Sequence, residues 1–172
     1  MNRQRLISTA AAAFAILASA CESVPLPATY SIAPQFDDAQ AGAIRRAHGA
    51  WCTAVDYCPV EAPFPDSDLL WVTSGIVAET RRPITWGYQI ESEVIDARTS
   101  AVTSAVRELV VVNSDHPAFP YHDRWATFAA HEIGHLCIYG HLPTGLMVRK
   151  NVAGMDGVDA LAASAFVSGC DL

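Results

Sequence analysis

His131 and His135 stand four positions apart, with Glu132 between them, in the run His131-Glu132-Ile133-Gly134-His135. Four residues is close to one helical turn, so on a helix both imidazoles leave the same face. Two ring nitrogens so placed suit one zinc ion, and the carboxylate beside them suits the handling of a proton on an attacking water. A third histidine, His141, follows six positions after His135, and Leu146-Met147 comes after a Pro143-Thr144-Gly145 turn. Histidine and glutamate are uncommon enough that so dense a set reads as a candidate metal site.

The stretch from His131 to Met147 resembles the metzincin zinc metallopeptidases, and among them the matrixin branch, whose pattern is H-E-x-x-H-x-x-G-x-x-H followed by a methionine turn. The resemblance implies that His131, His135 and His141 hold one catalytic Zn2+, that Glu132 is the general base, and that Met147 forms an apolar floor beneath the ligands. It implies a zinc endopeptidase that hydrolyses peptide bonds by a zinc-activated water, on a polypeptide substrate that lies extended against an edge strand. In related families a tyrosine two residues after the methionine is an extra ligand; Arg149 stands there, so none is expected.

The family glycine is replaced by Ile138. That glycine lets the chain turn so that the third histidine comes back to the metal. Six further residues of helix would rotate His141 by roughly 600° and carry it along the axis, so a turn is required between Leu136 and His141. A β-branched residue with positive φ is costly, which leaves Gly140 as the source of the turn. Asp156 or Asp159 is the fallback third ligand. A second reading is a non-catalytic zinc-binding envelope lipoprotein, either a degenerate peptidase or an interaction module. A third is a structural envelope protein with an incidental motif. Glu132 speaks for catalysis, because a site that only binds metal needs no base.

These residues need a scaffold. A helix over 123–138 puts Ala126, Ala129, Ala130, Ile133, Leu136 and Cys137 on one side, and His131, Glu132, His135 and Phe128 on the other. Gly134 in mid-helix costs about 1 kcal/mol relative to alanine, which points to crowding at that position. Upstream, 28–33 reads as a first strand. Asp37-Asp38 open an amphipathic helix with Ala43, Ile44, Ala47, Trp51 and Val55 inward. Residues 57–65, with three prolines, read as a loop; 69–77 as a buried strand; 84–95 as strand-like; and 109–112 as a short apolar strand. A last helix over 156–166 turns Val158, Leu161, Ala162 and Ala165 inward. His48, His116 and His122 are expected on the surface or in loops, and Trp51, Trp71, Trp86 and Trp125 in the core. The order of elements gives an α/β (α+β) domain. The resemblance implies a metzincin-like form of it: a twisted mixed sheet, two long helices, a zinc cleft, and a small C-terminal subdomain with a third helix.

At 172 residues, half of them apolar, the chain is long enough for one domain with a real core. Residues 1–20 read as a signal peptide, with Arg3 and Arg5 before a short apolar run. Residues 21–27 form a tether, and 28–172 the peptidase-like domain. Ala18-Ser19-Ala20 before Cys21 resembles a bacterial lipoprotein box, though Ala18 stands where leucine is usual; it also suits ordinary signal peptidase. Lipidation of Cys21 would anchor an exported protein to the membrane of the cell envelope; without it the product is a soluble secreted protein. Of five cysteines, Cys21 lipidation leaves an even four. Cys52 and Cys58 pair as neighbours. Cys137 then pairs with Cys170 or remains a buried thiol. The net charge of −7, more acidic still without the signal peptide, argues against nucleic acid as a partner.

Overall fold

The computed structural model describes residues 25–73, 101–103, 108–114, 119, 125–148 and 157–172. Cys21 and the signal peptide lie outside them, as do the expected strand at 84–95, Trp86, His116, His122, Arg149 and Asp156. Among the described residues there are five strands and three helices, in the order β1 (Thr29–Ile32), α1 (Asp38–Val55), β2 (Val60–Glu61), β3 (Leu69–Thr73), β4 (Ala101–Thr103), β5 (Leu109–Val112), α2 (Trp125–Gly134) and α3 (Ala160–Cys170). No described helix is long and apolar enough to cross a membrane.

The strands form one mixed sheet in the order β2-β1-β3-β5-β4. Three pairings are parallel, with Thr29 opposite Val60, Tyr30 opposite Leu69 and Leu70 opposite Leu109. Only β4 runs antiparallel, with Val102 opposite Val111. Parallel strands are covered on both faces and so read as unbroken apolar runs. Every residue of β3 and β5 is buried, as Leu-Leu-Trp-Val-Thr and Leu-Val-Val-Val require.

Helix α1 begins where its caps dictate. Asp37 accepts from the Gln40 backbone N–H at 2.8 Å, and the Gln40 side chain accepts from the Asp37 N–H at 3.0 Å. Its inward face is Ala43, Ile44, Ala47 and Trp51, all buried, and Val55 packs against the core more loosely. The helix stops at Asp56, a left-handed residue whose N–H reaches the Cys52 carbonyl. Cys52 is bonded to Cys58 just beyond. A bidentate Arg45–Glu61 pair, both contacts at 2.7 Å, ties α1 to the two-residue edge strand β2. That strand falls inside the expected 57–65 loop. Two exposed residues after Pro59 carry no alternation from which a strand could be read.

His48 departs from its expected surface position. It faces the sheet from α1, stacks on Tyr30 at 3.8 Å, and its Nε2 accepts from the Trp71 indole N–H at 3.1 Å. Burial pushes it down to about 3, so it is neutral in the fold. Trp51, Trp71 and Trp125 are core residues, as expected.

The last helix starts later than 156 and runs further than 166. Asp159 is its N-cap, accepting from the Leu161 and Ala162 N–H groups. With that start the phase changes: Leu161 turns outward at 45% exposure, while Ala162 and Phe166 are buried. Phe166 lies on Trp51, ring centroids 4.4 Å apart, which docks α3 onto α1.

Candidate metal centre

Helix α2 carries His131 and Glu132 in its last turn, shorter than the expected 123–138. It packs on α1 through small residues, with Ala129 and Ala130 buried. The Trp51 indole N–H donates to the Ala130 carbonyl at 2.7 Å, one residue before the first histidine. Gly134 is crowded as its sequence position suggested. A Cβ there would overlap Met147 Sδ and come within 2.9 Å of Met147 Cε. Met147, fully buried, thus lies against the helix between the two histidines.

The regular helix ends at Gly134 and then tightens. The His135 N–H is shared between the His131 and Glu132 carbonyls, Leu136 N–H reaches Ile133, and Cys137 N–H reaches Gly134. These shorter spans are the 3₁₀ pattern common at helix ends. Neither Ile138 nor Gly140 has a positive φ, so the glycine turn expected at Gly140 does not occur. The chain is instead caught at Cys137, which is bonded to Cys170 of α3. The alternative of a free Cys137 thiol is thereby excluded.

His131, His135 and His141 come together, one ring nitrogen from each lying within 4.8 Å of the others. Ring centroids are 4.8 Å apart for His131–His135, 5.3 Å for His131–His141 and 5.1 Å for His135–His141. The hydrogen bonds behind the rings decide which nitrogens face inward. His131 Nδ1 lies 2.7 Å from the Leu146 carbonyl, and His135 Nδ1 lies 2.9 Å from the Ile138 carbonyl. A carbonyl only accepts, so each Nδ1 carries the proton and each Nε2 presents a bare lone pair. The two Nε2 atoms face each other at 3.1 Å. Two lone pairs at that distance, with no proton between them, repel unless a cation lies alongside. Two nitrogens on one tetrahedral metal are roughly 3.4 Å apart, so the donor set fits a metal ion. Burial pushes His131 down to about 4 and lowers His135 as well. Both are therefore neutral at pH 7, which is the ligating form.

Asp159, the fallback ligand, is elsewhere. Besides capping α3, its carboxylate accepts from the Leu146 N–H at 2.7 Å. Gly145 makes this approach possible: it has φ +80°, and a Cβ there would lie 2.5 Å from the Asp159 carboxylate. Asp159 thus holds the N–H of Leu146, the residue whose carbonyl, in the next peptide unit, faces His131. The other fallback, Asp156, lies outside the described residues.

Glu132 is buried beside the histidines, and burial pushes its carboxyl up to about 7. Thr103 Oγ lies 2.9 Å from both the Glu132 side chain and the Glu132 carbonyl, pulling the other way on the carboxyl. Thr103 ends β4, the antiparallel edge of the sheet. It did not emerge from the sequence, because a three-residue strand has no readable period and Thr103 stands 29 residues from its partner. The three rings can therefore hold a metal ion, with His131 and His135 in the neutral form, and Glu132, its carboxyl raised by burial, follows His131 directly in the chain. A scan against protein-family models finds no match to this chain, and a search of curated proteins finds none either.

Proposed function

We propose that the protein is a zinc-dependent endopeptidase of metzincin type. The observation that carries this reading is the convergence of three histidine nitrogens on one point, with Glu132 adjoining. Three neutral imidazoles are the ligand set of catalytic zinc, which leaves a coordination position open. Zinc held by His131, His135 and His141 would supply Lewis-acid chemistry for the scissile carbonyl and the attacking water. Glu132 removes the proton of the attacking water and delivers it to the amine nitrogen as the C–N bond breaks. A carboxyl of pKa near 7 is matched to both transfers. Thr103 keeps the carboxylate aimed into the site. Met147, beneath α2, gives the ligand helix an apolar floor. Among the described residues β4, whose Thr103 bonds Glu132, is an edge strand, which suits an extended peptide added as a further strand. Export and anchoring through Cys21 belong to the same reading.

Non-catalytic metal binding is the competing reading, and one experiment separates them. Zinc content and peptidase activity are measured on residues 22–172 for wild type and Glu132→Ala. One zinc in each, with cleavage of an unfolded protein substrate by wild type and a loss of about 100-fold or more in the variant, is expected. Equal cleavage by both overturns the role of Glu132. Zinc binding without any cleavage leaves the metal module and removes the enzyme.

A further inference from the structure

We propose that the Cys137–Cys170 disulfide is a positioning device for the third metal ligand, turning the chain between His135 and His141. The inference rests on the metal site proposed above. Continued as helix, six residues beyond His135 would lie about 9 Å further along the axis. The His135 and His141 rings are instead 5.1 Å apart. Such a reversal ordinarily uses a left-handed residue, and none lies between positions 135 and 141.

What bends the chain is a grip from α3. Cys170 bonds Cys137, and Gly169 backs directly onto the Cys137 carbonyl, where a Cβ would overlap the oxygen. Leu136, just before, is fully buried. Beyond the grip, Tyr139, Gly140 and His141 are exposed. Past them, the Leu142 N–H donates to the Met147 carbonyl at 2.9 Å. His141 therefore rides on a short exposed arm fastened at Cys137 on one side and at Leu142 on the other. Releasing the first fastening restores conformational freedom to the arm, at the cost of the third ligand's placement. His131 is held from elsewhere, by the Leu146 carbonyl, while His135 leans on the carbonyl of Ile138, which is itself tied back to the Gly134 carbonyl through its N–H.

A bridge that merely stabilised the fold would affect zinc binding whether or not His141 was present. The test is a cycle of four proteins: wild type, Cys137→Ser with Cys170→Ser, His141→Ala, and all three changes together. Zinc affinity is read by competition with a chromophoric chelator, at a temperature where circular dichroism shows each protein folded. Cys52→Ser with Cys58→Ser serves as the control for loss of a bridge elsewhere. Removing the Cys137–Cys170 bridge should weaken zinc by ~10- to 100-fold when His141 is present, and by much less when it is alanine, where only the Ile138 carbonyl behind His135 can feel the loss. The control should bind as wild type does. Equal weakening in both backgrounds, or none in either, overturns the inference while leaving the metal site standing. No zinc in wild type would instead remove the metal site itself. If the bridge-less protein does not fold, Gly169→Ala, which keeps both cysteines and lifts α3 off Cys137, replaces it in the same cycle. The outcomes then have the same meaning.

Discussion

Thr103 grips the Glu132 carboxylate from a strand rather than from the helix that carries it, so on the proposed reading the base is held by the sheet. Thr103→Val keeps the shape and removes the hydroxyl, and is expected to lower kcat by about 10-fold with zinc content unchanged. Thr103→Ser should retain most of the rate; steady-state kinetics on the pair checks both. His48 makes a different prediction. Its folded pKa of about 3 lies below the ordinary 6.5, so between those values the unfolded chain takes up a proton that the folded one refuses. Stability from this residue is complete above about pH 6.5 and falls as the pH drops toward 3, at up to roughly 1.4 kcal/mol per unit. His48→Gln can still accept from Trp71 but does not titrate, so urea midpoints across that range should fall less steeply with acid than in wild type. His131, Glu132 and His135 were legible because their chemistry is compressed into five adjacent positions. Thr103 and His48 were not, because each acquires its role from a partner far along the chain: Thr103 from Glu132, His48 from Tyr30 and Trp71.

Helix α3 works mainly through its two ends. At its start Asp159 satisfies two of the helix's own N–H groups and the Leu146 N–H, and at its finish Cys170 holds Cys137. Asp159→Ala removes a cap and leaves the Leu146 N–H without its acceptor, a loss of about 2–4 kcal/mol. It should also weaken zinc, since the same residue, Leu146, presents its carbonyl to His131. Asp159→Asn, with one oxygen left to accept, should fall between; denaturant melts and zinc titration test the pair. The start of α1 could be read from Asp37 and Gln40, because its capping box is local in sequence. The end of α2 could not. The pattern Leu136, Cys137 and Ile138 continues an apolar helical face, and what stops it is a tightened turn fastened to a cysteine 33 residues on. The phase of α3 was misread for a related reason: Val158 looks periodic with Leu161, yet the cap at Asp159 begins the helix between them.

The class of the fold followed from the order of apolar runs, whereas its sheet order did not, since β2 and β4 are edge strands too short to announce themselves. Two covalent bridges close this molecule at different scales, one spanning 6 residues and the other 33. By loop closure the longer bridge should contribute about 4 kcal/mol and the shorter about 2 kcal/mol. Calorimetry on the two double-serine variants should rank them in that order. The parallel pairings also need distant partners: Tyr30 lies between Glu61 and Leu69, and Leu70 meets Leu109, whereas β4 and β5 are antiparallel neighbours close in the chain. The three histidines occupy one short stretch, but their clasp closes at residue 170. A chain emerging from its amino end therefore carries all three histidines well before the cysteine that closes the bridge. On the proposed reading, its chemistry waits for a residue far downstream of the histidines themselves.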